Sequence, residues 1–371
     1  TSIALILAKK LKKNPIEIAQ KVASSIKDKI FEKVEVAPPG FINFYLSKDF
    51  FIENVKKIDK NFGKNNNLKN QKIIIEYTDP NPFKEFHIGH LMSNSIGESL
   101  SLILEFQGAK IKRANYQGDV GLHVAKAIWG KLKVPHLDWG KAYSYGATQY
   151  QNDDKNSKIE IEELNKKIYE RSSKEINNLY SQGKKESLES FEEIYQKLGT
   201  KFDYYFFESD VGEFGKKIVE NGLKKGIFEK GAKGAIIFKG EKYGLHTRVF
   251  VNSEGIPTYE AKELGLAKIK NNKYKYDKSV IVTGNEINEY FKVLLCAMAQ
   301  MFPDFAKKTK HIGHGMMRLP EGKMASRTGN VVTFETLLKK VENLVKEKIK
   351  NRGLSEAEKN EITEKVAIGA V

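Results

Sequence analysis

The segment that most constrains this chain runs from Lys72 to His90, KIIIEYTDPNPFKEFHIGH. Its three consecutive isoleucines make a short continuous apolar run, the kind that fills a parallel strand buried on both faces. Asp79-Pro80-Asn81-Pro82 then forbids helix. From His87 onward, apolar residues recur at helical spacing until Gly108 stops them. Strand, loop and helix in that order open a nucleotide-binding βαβ unit, so the expected fold class is α/β with a Rossmann-like parallel sheet.

The rest of the chain arranges itself around that unit. A length of 371 residues calls for two or three packed units. Residues 1–30 read as two short helices separated by Asn14-Pro15, and VEVAPPGFINFYLS reads as strands flanking Pro38-Pro39-Gly40. With the Asn-rich stretch from Asn61 to Asn70 as a linker, a small N-terminal α+β domain is expected over 1–60. Residues 70–135 form the first half of the α/β domain, with AKIKRANYQGDVG as its second strand and a Gly-Asp loop. Residues 136–228 read as a mainly helical insertion. The second half, 229–320, carries strand signals at AIIFKG, HTRVFVN and KSVIVTG, with a helix starting near Asn288. Residues 321–371 hold a basic loop and the start of a helical region. The start at Thr1 and the apolar end VAIGAV suggest a fragment at both ends.

Charge and cysteine content set limits on function. The net charge of +16 permits a polyanionic partner, but only six of the 63 basic residues are arginine, so charge alone does not establish one. The single cysteine, Cys296, excludes an internal disulfide and a multi-thiolate metal site. It fits a reducing compartment and reads as a buried apolar residue. No stretch approaches the roughly 18 apolar residues of a membrane span, and no signal-peptide pattern opens the chain. A soluble cytoplasmic monomer without membrane contact is expected.

The chemistry concentrates in two places. His87-Ile88-Gly89-His90 sits at a strand-to-helix turn, where unpaired backbone N–H groups and the helix dipole favour an anion. Two imidazoles three positions apart can donate to an α-phosphate as it gains charge, and Gly89 leaves room for a purine. The same four letters recur at His311-Ile312-Gly313-His314. That copy follows lysines and leads into Gly315-Met316-Met317, which reads as strand, so the recurrence reads as coincidence, with His311 left as a residue that could face the nucleotide edge of the sheet. The second place is Gly322 to Asn330, a polar loop whose Lys323 and Arg327 could close over a leaving pyrophosphate.

These pieces, in this order, resemble the class I aminoacyl-tRNA synthetases, and within them the arginyl-tRNA synthetase family. Glu76-Tyr77-Thr78-Asp79-Pro80-Asn81 with His87 to His90 is similar to the family's E-x-[ST]-x-P-N…HIGH block. Asn115 to Gly121 is similar to its NY-x-GD-x-G segment, with Val120 where Trp is usual. Thr258 to Gly265 resembles its arginine-reading helix, and residues 323 to 327 resemble its KMSKS loop, with Ala325 and Ser326 as departures. The resemblance implies ATP with Mg2+ as a substrate complex, no tightly bound cofactor, and L-arginine and tRNA(Arg) as partners. It implies that His87, His90, Lys84 and Lys323 are catalytic, with Lys84 compensating for the lysine missing from the loop. It implies that Gly89, Asn285, Glu286, Met324, Ser326 and Arg327 hold ATP. Asn81 would hold the α-amino group of arginine, while Glu76, Thr78, Tyr259 and Glu263 line its side-chain pocket. Tyr259 and Glu263 are four apart, hence on one helical face, and a carboxylate matches the guanidinium fork. The family usually has Asp where this chain has Glu263, and often Gln where it has Asn285.

The resemblance further implies that residues 1–60 meet the tRNA elbow and that an anticodon-reading helical domain would follow residue 371. Two other readings stay open on the residues alone: another nucleotidyltransferase with an HxGH turn, or a non-catalytic tRNA-binding paralogue.

Overall fold

The computed structural model describes residues 1–152, 155–315 and 332–371. The chain divides into two units, Thr1–Asn65 and Asn66–Val371. In the first, α1 (Ile3–Leu11) and α2 (Pro15–Ser25) pack on an antiparallel hairpin of β1 (Phe31–Ala37) and β2 (Phe41–Leu46), followed by α3 (Lys48–Lys56). Pro15 occupies the first turn of α2, where its missing N–H costs nothing, and the Asn14 side chain caps that helix by accepting from Ile16 N. Ala4, Ile18, Ala19 and Ile42 form its small core.

The second unit is built on a five-stranded, wholly parallel sheet. Its strands are β3 (Lys72–Glu76), β4 (Lys110–Gln117), β5 (Tyr204–Phe207), β9 (Lys278–Gly284) and β10 (Thr309–His314), in the order β10-β9-β3-β4-β5. From β3 the chain steps outward through β4 to β5, then returns to the other side of β3 for β9 and β10. The order therefore reverses between β3 and β9, and in open α/β sheets a ligand crevice lies outside the carboxyl ends of the strands at such a switch point.

Helix α4 (Ile88–Phe106) follows β3, and α5 (Leu122–Lys133), α6 (Trp139–Gln151), α7 (Lys155–Glu170) and α8 (Lys174–Leu198) lie between β4 and β5. After β5 come α9 (Glu208–Lys224) and a separate antiparallel sheet of β6 (Glu229–Lys230), β7 (Ile236–Phe238) and β8 (Arg248–Val251). Helix α10 (Tyr259–Lys273) precedes β9. Then α11 (Asn288–Met301) and α12 (Pro303–Lys308) lead to β10, and α13 (Phe334–Ile349) and α14 (Glu356–Ala370) end the chain.

The isoleucine run behaves as a strand covered on both faces must. Ile73 and Ile75 point to one side, with Leu91, Val280, Val282 and Phe334. Ile74 points to the other, with Ala114, Val211, Leu266 and Tyr276. Each is at most 4% exposed, worth about 2–3 kcal/mol apiece in removed apolar surface.

The structure refines several sequence expectations. The mainly helical block 136–228 also holds a strand that the sequence did not announce, Tyr204–Phe207, pairing in parallel with Ala114–Gln117. Four residues are too few to announce a period, and its edge place is fixed only by the β4 beside it. The strands expected at AIIFKG and HTRVFVN are present as β7 and β8, in the small antiparallel sheet. The second HIGH string lies within β10 itself, because residues 309–314 pair along β9, and Met316-Met317 of the strand expected after it lie outside the described residues. Cys296 is half-buried at the margin of a core cluster instead of inside it.

Candidate active site at the carboxyl edge of the parallel sheet

Between β3 and α4 the backbone is forced into a shape that few sequences tolerate. Thr78, Asp79 and Phe83 all have positive φ (77°, 47° and 69°), a region that costs non-glycine residues of order 1 kcal/mol or more each. Tertiary hydrogen bonds hold them there. Asp79 Oδ1 accepts from Tyr116 N at 2.8 Å, Asn81 Oδ1 from Gly118 N at 3.1 Å, and Ser187 Oγ from Phe83 N at 2.9 Å. Thr78, expected at the arginine pocket, instead has its buried hydroxyl accepting from Asn94 Nδ2 of α4 at 3.0 Å.

The turn delivers His87 and His90 as a matched pair. His87 is the N-cap of α4: Gly89 N donates to His87 Nδ1 at 3.1 Å, and His87 N donates to His90 Nδ1 at 3.2 Å. The rings stack 3.7 Å apart at 14°. Burial and the Lys84 ammonium push His87 down to about 4, and burial, His87 and Lys84 push His90 well below the usual imidazole range. Both rings are therefore neutral at pH 7. With each Nδ1 accepting, the ring proton sits on Nε2, so the helix start carries two Nε2–H donors. Gly89 serves this pairing: a Cβ there would lie 2.9 Å from His87 Cε1, so only glycine lets the ring fold back over the turn.

Lys84 lies close enough to influence His87, His90, His123 and Glu208 electrically, and its Nζ stands 5.0 Å from the Tyr143 ring centre. Asn285 and Glu286 are exposed in the short helical turn after β9, the adjacent strand end. Lys323, Met324, Ser326 and Arg327 lie outside the described residues. The second histidine pair braces the far side of this edge. His314 Nε2 is 2.7 Å from Ser93 Oγ of α4, and His311, stacked on Phe291 at 3.8 Å, is 2.7 Å from Thr283 Oγ1.

Beside the turn, α10 presents Tyr259, Glu263 and Lys270 along one stripe, spaced four and seven apart. Tyr259 is 58% exposed at the rim. Glu263 is half-buried below it. Burial and the neighbouring Glu76 push its carboxyl up to about 8. Glu76, at the end of β3, is fully buried and ion-paired with Lys270 Nζ at 2.8 Å. The structure thus brings Glu76, Asn81, Lys84, His87, His90, Tyr259 and Glu263 around the end of β3, while Thr78 is turned under α4.

Several residues of this edge carried no assignment from the sequence. Glu208 opens α9 and is buried against Lys262 Nζ at 2.6 Å. Burial raises its carboxyl above the usual range, and a Cβ on Gly118 would fall 3.1 Å from its Oε1. Tyr116 Oη and both amide atoms of Gln117 are buried without a partner among the described residues, an orphaned polar set at the end of β4. The Asn-Tyr-Gln-Gly-Asp run was visible, and helical spacing alone would have put Lys270 under Glu263. Glu208 gave no local signal.

Beneath them Asp119 accepts from Tyr180 Oη, Lys184 Nζ, Ser209 N and Ser209 Oγ at 2.6–2.9 Å. Burial alone would raise it, but Lys184 and Ser209 hold it below its ordinary value. Among the described residues, no group of three or more His, Cys, Asp or Glu side chains could hold a metal ion, and no helix is long and apolar enough to cross a membrane.

Comparison with known proteins bears on this geometry. Residues 52–371 match the family described as tRNA synthetases class I (R), catalytic domain, and residues 1–46 match the arginyl tRNA synthetase N terminal domain. A Treponema denticola protein named arginine–tRNA ligase is 28% identical over 385 residues, and its Clostridium acetobutylicum counterpart is 31% identical over 375. Each alignment covers 98% of this chain, which spans 65% and 66% of the length of those relatives. Among solved structures, the Thermus thermophilus arginyl-tRNA synthetase aligns with a TM-score of 0.69 at 18% identity, covering 99% of this chain and 68% of that one. The Plasmodium falciparum enzyme aligns at 0.67 and 20%, covering 99% and 66%.

Proposed function

The chain belongs to the class I (R) tRNA synthetases, and on that premise we propose that it is an arginine–tRNA ligase acting in the cytoplasm. L-arginine attacks the α-phosphate of ATP, pyrophosphate leaves with the Mg2+ that arrived with the nucleotide, and the arginyl-adenylate then esterifies the terminal ribose of tRNA(Arg). No covalent enzyme intermediate is needed. Catalysis consists of positioning and of donors aimed where charge develops.

His87 and His90 donate through Nε2–H to the α-phosphate, and the Lys84 ammonium faces the triphosphate from the loop before them. Gly89 and the Asn285-Glu286 turn border the adenosine at the neighbouring strand end; Lys323 acts on the leaving pyrophosphate, and Met324, Ser326 and Arg327 contribute to ATP binding. Asn81 accepts from the α-amino group of arginine, and Glu263 and Tyr259, with Glu76 behind them, receive its side chain. The observation that carries this reading is one shared edge. A neutral imidazole pair, locked as Nε2–H donors at a helix start, stands beside a hollow whose half-buried carboxylate, Glu263, has no cation of its own among the described residues.

The test is amino-acid-dependent ATP–pyrophosphate exchange across a full panel of amino acids, with and without tRNA. Exchange stimulated by arginine alone is expected. Exchange that needs no amino acid would point to a different nucleotidyltransferase, and salt-sensitive tRNA binding without exchange would point to a non-catalytic paralogue.

A further inference from the structure

Helix α8, in the block between β4 and β5, turns one face to the catalytic edge. Along it Tyr180, Lys184, Ser187, Phe191 and Tyr195 recur at spacings of four, three, four and four, a single helical stripe. Each meets a segment that leads into or out of the cleft. Tyr180 Oη and Lys184 Nζ both donate to Asp119 Oδ2 at 2.7 Å, in the turn after β4. Ser187 Oγ accepts from Phe83 N at 2.9 Å, in the strained turn after β3. The Phe191 and Tyr195 rings stand 6.0 and 6.1 Å from that of Phe86, the residue before His87. Tyr195 Oη also accepts from Asn115 Nδ2 of β4 at 2.8 Å. Gly183 permits this close approach, since a Cβ there would lie 2.3 Å from Phe83 Cε1. The opposite face carries Lys185 and Glu189, both exposed.

Resting on the function proposed above, we propose that Asp119 and Ser187 are positioning residues that seat the two cleft turns on α8 separately. Asp119 sets Asn81, and with it the grip on the amino acid; Ser187 sets the stretch from Lys84 to His90, and with it the rate of chemistry at the phosphate. The Asp119 carboxylate is fully buried and fixed by donors from α8 and from Ser209 at the start of α9. The preceding Gly118 gives its N–H to Asn81 Oδ1, and its carbonyl oxygen stands 2.7 Å from His123 Nε2. The path from Ser187 is shorter. Phe83 is fully buried at a φ of 69°, its N–H has Ser187 Oγ as acceptor, and Lys84 is the next residue. A buried N–H that loses its acceptor must move to find water or another oxygen, and Lys84 moves with it.

The two contacts register in different constants. Asn81 holds the amino acid alike in the ground state and in the transition state, so a displaced Asn81 raises KM with little change in rate. Lys84, His87 and His90 act as charge develops on the phosphate, so displacing them lowers the rate with little change in KM. A helix that merely stabilised the fold would move both constants together, or neither. A misplacement of about 1 Å costs about 10²-fold in a positioned site, which sets the scale of both effects.

The experiment is amino-acid-dependent ATP–pyrophosphate exchange by the full chain, with and without tRNA, with arginine and ATP varied separately and folding checked by circular dichroism. Asp119→Asn combined with Lys184→Met removes the ion pair without leaving an orphan charge. It should raise the arginine KM at least about tenfold and leave the rate within about threefold. Ser187→Ala should do the reverse, lowering the rate by about 10-fold to 10²-fold while the arginine KM stays within about threefold. Ser187→Thr, which keeps a hydroxyl acceptor, should bring the rate back to within about threefold of wild type. Ser181→Ala, at an exposed position of the same helix, is the control. If the first two variants do not fold, Tyr180→Phe and Ser187→Cys weaken the same two contacts and should shift the same two constants by smaller factors. The proposal is overturned by an unchanged rate in folded Ser187→Ala, by an unchanged arginine KM in the folded double variant, or by equal losses in both constants. A wild type that exchanges with a different amino acid would remove the arginine reading alone, and the same two shifts, read with that amino acid, would still decide this inference. A wild type with no amino-acid-dependent exchange would bring down both.

Discussion

Replacing Gly118 by alanine tests the amino-group side of the cleft. Gly118 has an ordinary negative φ, so alanine suits the backbone and any effect must come from its methyl group. That methyl would lie 2.4 Å from Asn81 Oδ1 and 3.1 Å from Glu208 Oε1, against ordinary contacts of about 3.4 Å or more. The Asn81 amide must therefore retreat by about 1 Å, breaking its 3.1 Å bond from Gly118 N. A lost hydrogen bond of about 1 kcal/mol is partly offset by the stiffer unfolded chain, so the melting temperature should move by only a few degrees. Function should respond far more, because a displacement of that size costs about 10²-fold in a positioned site. The assay is arginine-dependent pyrophosphate exchange with arginine and ATP varied separately. The KM for arginine should rise at least tenfold while the KM for ATP stays within about twofold. Gly353→Ala, at a site with nothing within 4 Å, serves as the control for alanine itself. An unchanged arginine KM in a folded Gly118→Ala protein would refute the placement of Asn81 at the amino group.

His87→Ala and His90→Ala should each lower the exchange rate by about 10²–10³-fold with little change in ATP affinity, since an Nε2–H donor acts as phosphate charge develops; Lys84→Ala should lower it by about 10²-fold, and an unchanged rate would remove Lys84 from the triphosphate. Glu263 carries a raised carboxyl in the folded protein, so its ionisation opposes folding progressively from about pH 4 up to about pH 8. Glu263→Gln should accordingly raise the thermal midpoint more at pH 8 than at pH 5, and an equal rise at both would contradict the shift. Asp119 is held below its usual value, so its stabilisation is complete above about pH 4 and fades as pH falls through the folded value. Asp119→Asn should remove that acid-limb dependence in a pH series of urea melts. Ile75→Ala, at a fully buried position in the central strand, should cost about 3 kcal/mol by urea unfolding, and a cost under about 1 kcal/mol would mean that β3 is not covered on both faces.

Features whose cause is local are legible in the order of the residues. Three isoleucines before a Pro-Asn-Pro loop announce a buried parallel strand, and the helical period after His87 announces α4, because period and backbone restriction are read within a few residues. The His87–His90 pair was legible for the same reason: capping geometry at a helix start involves only its own first turn. Tyr259 and Glu263 share a face by spacing alone. The partner that each charged group meets is set by the fold. Nothing near Glu76 in sequence says that a lysine 194 positions away will neutralise it, nor that Glu208 will find Lys262 and stand against Gly118. Thr78 reads as a cleft residue from its neighbours and turns under α4 because Asn94 waits there. Strand β5 is four residues without a period, and the parallel register of β4 alone makes it an edge. Periodicity and capping act through the adjacent backbone, whereas the ionisation and availability of a buried carboxylate depend on which distant cation the fold carries to it.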